Sequence, residues 1–263
     1  MSSTLYTNPT INKHLQELQA RSVKCKMHIM FNILWSTYLN YTNIYIRSAI
    51  RYQPDLNQSE NDFRESAIDI GKNLDQFLQQ VNLPFRISTR NESVFTNLMA
   101  SLKQDNSTIS NQVASRFNTR VLSAGLLLTL LLEEQVSLIK RYIQTSIQGS
   151  KTNIPTIRQE LVRNGDNIIK LYLKISKWKG KEIMENGHSL WNKYISDIVD
   201  HVNEELRKDY GSSNRVHTRL QAHSLQTADY FYKIIMGTDA YSIMDSACTY
   251  NPNVIEFTEE SDL

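Results

Sequence analysis

A chain of 263 residues that is 40% hydrophobic and 21% charged has room for one large domain with a substantial core. Its 8 glycines and 5 prolines are few for that length, which argues against sheets and tight turns and for long helices with few connections. A formal net charge of +2 is too small to point to nucleic acid or an anionic membrane as partner. The polar start, Met1 to Pro9, lacks a targeting pattern. The most apolar window, Ala124 to Leu132, is cut off by Glu133 and Glu134, well short of the ~20 residues of a membrane span. A soluble chain with no membrane span is expected. Cys25 and Cys248 sit in no paired motif and are expected as free thiols of a reducing compartment.

Residues 1–22 are expected as a polar leader, with a helical spacing of apolar residues at Ile11, Leu15 and Leu18 that continues into the first long helix. The first long helix is predicted from about Val23 to Tyr52, its inward stripe marked by Met27, Met30, Phe31, Leu34, Tyr38, Tyr41 and Tyr45. Pro54 stops it. The second helix opens with Ser59 as N-cap and Asp62 in its first turn, buries Phe63, Ala67, Ile70, Leu74 and Phe77, and ends at Asn82-Leu83-Pro84. Residues 83–118 are the least regular stretch and read as an insertion. The third helix spans about Arg120 to Gln148 and stops at Gly149-Ser150. Pro155 suits the first turn of a fourth helix, ending near Lys177. A fifth carries Ile183 to Leu206 and is broken by Gly211-Ser212-Ser213; a sixth runs from about Asn214 to Met236. Residues 237–263 are expected as an irregular tail. No strand is predicted. The fold class is all-α, an up-and-down bundle of about six long helices in one domain, 23–236.

The helices repeat. Leu34-Trp35-Ser36-Thr37-Tyr38 in the first returns as Leu190-Trp191-Asn192-Lys193-Tyr194 in the fifth, and Leu131-Leu132-Glu133-Glu134-Gln135 takes the same place in the third. Among the even helices, Asp69-Ile70-Gly71 matches Asp166-Asn167-Ile168, with Ala228-Asp229-Tyr230 a looser third member. The reading is three αα-hairpins side by side, none able to bury its apolar stripe alone. If it is right, Tyr38, Gln135 and Tyr194 face one another across the bundle axis.

The order Leu-Trp-x-x-Tyr, Asp-Ile-Gly, Leu-Leu-x-Glu-Gln, Arg163-Asn164-Gly165-Asp166-Asn167-Ile168, Leu-Trp-x-x-Tyr and Ala-Asp resembles small bacterial helical-bundle proteins, from Ile29 to Met236 without the insertion. Those proteins often carry the unsupported name acetylglutamate kinase and look ferritin-like. The resemblance implies a ferritin-like bundle, and it implies histidines at the positions held here by Tyr38, Gln135 and Tyr194. Glu134 matches a glutamate of that family, and His223 falls near a position where it can have histidine. Tyrosine and glutamine are poor metal ligands beside imidazole or carboxylate, so a site present in such relatives is expected to be degenerate here. The candidate residual polar site is Tyr38, Glu134, Gln135, Tyr194 and His223.

Chemistry-bearing motifs are scarce. A ferritin-type di-metal centre needs two Glu-x-x-His copies, whereas Glu185-Asn186-Gly187-His188 is a single one. His201, beside Asp197 and Asp200, reads as a surface ion pair. Glu134 falls on the inward stripe, where a carboxylate needs a partner; Arg47 or Arg141 could supply it and fix register. Lys174, Lys177, Lys179 and Lys181 around Trp178 read as a solvated helix junction. No Gly-rich phosphate loop, Gly-x-Ser-x-Gly elbow or Cys–His pairing is present, so the kinase name of the relatives has no support in this sequence.

The expectation is a non-enzymatic bundle with no cofactor, acting through a protein partner or self-association. The Asn, Ile, Lys and Ser usage fits a large DNA virus with an AT-rich genome; the expected location is the cytoplasm, or the virion if the source is viral. The alternative is a ferritin-like protein binding a transition metal, with redox activity.

Overall fold

A computed structural model describes residues 9–81, 83, 86–88, 121–150, 152–176 and 181–236. Six helices carry the described residues: α1 (Pro9–Ile50), α2 (Leu56–Gln80), α3 (Ala124–Ile147), α4 (Ile154–Ile175), α5 (Lys181–Leu206) and α6 (Tyr210–Met236). Each packs against the next, α6 closes back on α1, and α1 also reaches α3 and α5 through the middle. The fold is an all-α helical bundle in which the six helices of the described residues form a closed ring, crossed by contacts of α1 with α3 and α5 and of α4 with α6. No helix among the described residues is long and apolar enough to cross a membrane.

The helical periods expected from sequence account for the core. In α2 the stripe Phe63, Ala67, Ile70, Leu74, Phe77 and Leu78 is buried throughout, spaced at three and four. α4 buries Ile157, Leu161, Ile168, Ile169 and Tyr172 in the same rhythm. α3 is buried on every side from Leu127 to Ile139, as a helix enclosed by others must be. Close approach is set by glycine. A Cβ on Gly71 would collide with Thr129 Oγ1 and the Gly125 carbonyl, so α2 and α3 can touch backbone to backbone. A Cβ on Gly165 would enter the Trp191 indole.

Several boundaries differ from the sequence reading. The helical spacing read in the leader is realised, since α1 runs unbroken from Pro9 into the first long helix. α2 begins at Leu56, so Ser59 lies inside it and its hydroxyl donates to the Leu56 carbonyl at 2.9 Å instead of capping. Tyr52, at φ 51°, reverses the chain before it. Two three-residue strands, β1 (Arg86–Ser88) and β2 (Val121–Ser123), pair antiparallel, where no strand was expected. Most of the 83–118 insertion and all of the 237–263 tail lie outside the described residues. β2 takes the residues assigned to the start of the third helix, because Ser123 serves as its N-cap: its Oγ accepts from the Leu126 amide at 3.1 Å. Asp75 of α2 then accepts from Ser123 Oγ at 2.5 Å and from the Gly125 amide at 2.8 Å, placing an anion at the positive end of α3. The break between α5 and α6 falls earlier than Gly211-Ser212-Ser213, at Lys208, which takes φ 60°. Gly149 ends α3 as expected, at φ 68°.

Cys25 is disulfide-bonded. The expectation of a free thiol fails there, and with it the argument from cysteine for a reducing compartment; Cys248 lies outside the described residues.

The glycine contacts give a direct test. Gly165→Ala is expected to lower the unfolding free energy by about 1–3 kcal/mol in urea titration, because the added methyl has to displace a packed indole.

Candidate functional site

The three repeat positions meet. Trp35 and Tyr38 of α1, Leu132 and Gln135 of α3, and Trp191 and Tyr194 of α5 each lie three apart, which puts each pair on one helix face. Those faces converge at the centre of the ring. Trp35 and Trp191 cross edge to face at 6.1 Å, each with its own tyrosine against it at 5.9 Å and 5.3 Å. Phe231 of α6 closes this layer on Trp35 at 5.1 Å and stacks on Tyr172 of α4 at 3.7 Å.

Tyr38 Oη donates to Gln135 Oε1 at 2.7 Å, with both residues at 0% exposure. Tyr194, at 3%, completes the level. Burial raises the Tyr38 phenol well above its usual range, and neighbouring Tyr194 and Glu133 add to this against the opposing charge of Arg64. Burial likewise raises Tyr194, offset in part by Thr42. The Thr42 hydroxyl is committed to the Tyr38 carbonyl at 2.9 Å, and Tyr194 Oη makes no hydrogen bond of ordinary length among the described residues. Both phenols therefore stay protonated and neutral.

The other two candidate residues are elsewhere. Glu134 precedes Gln135 by one residue, hence by about 100° around the helix, and turns toward α4. There Asn164 Nδ2 donates to Glu134 Oε2 at 2.9 Å and to the Leu131 carbonyl at 2.8 Å. His223 lies between α5 and α6 with Nδ1 at 2.6 Å from Asp197 Oδ2. Three of the five residues meet at the centre, and Glu134 and His223 lie apart from them and from each other, against Asn164 and Asp197 respectively. The ion pairs expected for Glu134 are corrected too: Arg47 bonds Glu205 at 3.2 Å, and Arg141 bonds Glu160 at 2.8 Å on the surface.

The buried arginine belongs to the adjacent glutamate. Arg64 of α2, 2% exposed, donates Nη1 to Glu133 Oε2 at 2.5 Å, and Nε and Nη2 to Glu60 Oε1 at 3.2 and 3.0 Å. Lys140 Nζ holds both oxygens of Glu60 at 3.0 Å. Burial alone would lower the pKa of the Arg64 guanidinium; Glu133 and then Glu60 outweigh it and raise it. The available signal was Arg64 itself, a cation following Phe63 on a buried stripe.

A second cluster joins α1, α5 and α6. Arg51 grips both oxygens of Glu205, at 2.9, 3.1 and 2.8 Å, and Ser213 Oγ donates to Glu205 Oε1 at 2.5 Å. With that proton committed, His201 Nδ1–H donates to Ser213 Oγ at 3.1 Å. His201 is fully buried, which corrects the expected surface pair with Asp197 or Asp200. Burial pulls its pKa down to about 4, with Glu205 opposing and Arg47, His217 and Arg51 assisting. A serine whose proton goes to the glutamate, beside a histidine that is itself the donor, is not arranged as a nucleophile and its base. Glu185 and His188 also part company, to Lys181 at 3.4 Å and Asp166 at 2.6 Å. Among the described residues no group of three or more His, Cys, Asp or Glu side chains is placed to hold a metal ion. Lys174 and Lys181 are exposed, and 177–180 lie outside the described residues.

Compared with known proteins, the chain matches no family model, no characterised protein and no solved structure.

Removing Arg64 alone leaves Glu133 buried without its cation. Arg64→Ala is expected to cost about 3–5 kcal/mol, while Arg64→Met with Glu133→Leu restores most of the loss, measured by chemical denaturation. His201 gives a pH signature. Its folded pKa lies below its unfolded one, so the unfolded chain binds more protons between about pH 6.5 and 4, and stability falls as pH falls through that window. His201→Asn should shrink the stability difference between pH 7 and pH 4 by on the order of 3 kcal/mol.

Proposed function

We propose that this chain is a non-enzymatic helical-bundle protein with a structural or protein-interaction role, built around a polar centre that has become packing. The observation that carries the reading is the Tyr38–Gln135–Tyr194 level, fully enclosed and lined by two neutral phenols and an amide. Protonated phenol and carboxamide are weak ligands for transition metals, and a level without solvent access gives a substrate no route in. On the resemblance to ferritin-like bundles, replacing imidazoles here turned a ligand set into a hydrogen bond and an aromatic layer. The AT-rich viral source, and a cytoplasmic or virion location, belong to the same proposal on composition alone. The competing reading, a metal-binding protein with redox activity, relies on Glu134 and His223 acting together, and they point into different clefts.

The test is the metal content of purified protein by mass spectrometry, for wild type and Glu134→Ala. The expected result is no stoichiometric metal in either. Stoichiometric iron, manganese or zinc that disappears in Glu134→Ala overturns the architectural reading.

A further inference from the structure

Two opposite faces of the ring differ in charge. Between His28 and Arg47, α1 has no charged residue, although Ile33, Thr37 and Asn40 form an outward stripe. Ile33 is 44% exposed, among the most open of the large apolar side chains. Beside this strip runs a groove of about 150 Å³ lined by Leu34, Thr37, Tyr41, Asp62, Glu65 and Asp69. Asp62, Glu65 and Asp69 share one face of α2. The cation at their margin is Lys72, 3.8 Å from Asp69. An uncharged, partly apolar centre with a charged border is the usual anatomy of a protein interface.

In ring order α4 is separated from α1 by α2 and α3 on one side, and on the other by α5 and by α6, which α4 also touches. Its outermost stripe carries Arg163, Lys170 and Lys174, all exposed. The acids flanking that stripe are already engaged sideways, Glu160 by Arg141 at 2.8 Å and Asp166 by His188 at 2.6 Å. Arg163 and Lys170 have no acidic partner among the described residues. Arg163 and Lys170 stand seven residues apart, as do Asp62 and Asp69, so each pair spans about 10 Å along its helix. The two rows are opposite in sign and equal in spacing, but they lie on separate faces of one molecule and meet only between two.

We propose that the uncharged α1 strip with its acidic α2 border docks the basic α4 stripe of a second copy of this chain. The contact is heterologous: each copy offers one face and receives on the other, so copies associate head to tail into a ring or an open chain. Burial of Ile33 supplies the apolar centre, and the two charge rows set register and orientation. This deepens the interaction role proposed above. A metal-free monomer sinks the self-association alone, and stoichiometric metal sinks the architectural role.

Sedimentation velocity at low and high salt, on full-length chains checked for helicity by circular dichroism, decides it. Wild type is expected to form dimers and larger species that dissociate as salt rises. Arg163→Glu with Lys170→Glu should be monomeric, and so should Asp62→Lys with Asp69→Lys. An equimolar mixture of these two double variants should assemble again, because the intact face of each meets its complement and the two reversed faces complement each other. A monomeric wild type at low salt, variants that assemble like wild type, or a mixture that stays monomeric each overturns the proposal.

Discussion

The centre of this protein is where three inner helices have to agree. α1, α3 and α5 are each bordered by two outer neighbours, and what remains between them must be filled by side chains from all three. Trp35 and Trp191 meet there from two sides with Phe231 of α6 against both, and the smaller Leu132 occupies the equivalent repeat position on the third. One level further along, tyrosine from two helices meets glutamine from the other, and Tyr38 and Gln135 join by a hydrogen bond with no water needed between them. Aromatic planes meeting edge to face tolerate little rotation. The orientation of each inner helix about its own axis is therefore fixed by the other two, and the outer helices dock on the surfaces that result.

Charge does a different job in the same core. The Arg64–Glu133 pair and the Glu205 cluster each tie together helices that the hydrophobic stripes bring close without setting their register. Buried ion pairs contribute little net stability against well-packed apolar replacements, yet they penalise every arrangement that separates them. Glu60 shows how this is arranged: half-buried at the margin, it joins Glu133 in neutralising the Arg64 guanidinium from two directions, and its own remaining charge is met by Lys140. Asp75 plays a comparable part at the start of α3, where it meets a hydroxyl and an amide rather than a cation.

Much of this was legible in the sequence because periodicity is a local property. The stripes of α2 and α4, the stop at Gly149 and the convergence of Tyr38, Gln135 and Tyr194 all follow from spacing within single helices and from matching one helix with another. Pairing between helices was not legible. Glu133 and Glu134 both announce a buried carboxylate, but which of them receives an arginine depends on the rotation of α3 against α2 and α4. The choice among Arg47, Arg64 and Arg141 depends on which helix is the neighbour. His201 looked like a surface residue because Asp197 and Asp200 precede it at helical spacing. The ring instead gives Asp197 to His223 and Arg219 on α6 and leaves His201 facing Ser213. Capping by Ser123 is hidden for a simpler reason: the residues from Arg120 extend the helical pattern one turn ahead of the apolar run that begins at Ala124.

Ring closure also bears on where the chain has its ends. His28, near the start of the packed part of α1, bonds Asp229 near the end of α6 at 2.5 Å, while Arg47 at the other end of α1 reaches Asn214 at the start of α6 at 2.6 Å. The first and last helices are thus antiparallel neighbours, placed like any two helices consecutive in sequence. Seen as packing alone, the ring of described helices has no first member: the seam between α6 and α1 is as extensive as those between helices that follow one another in sequence.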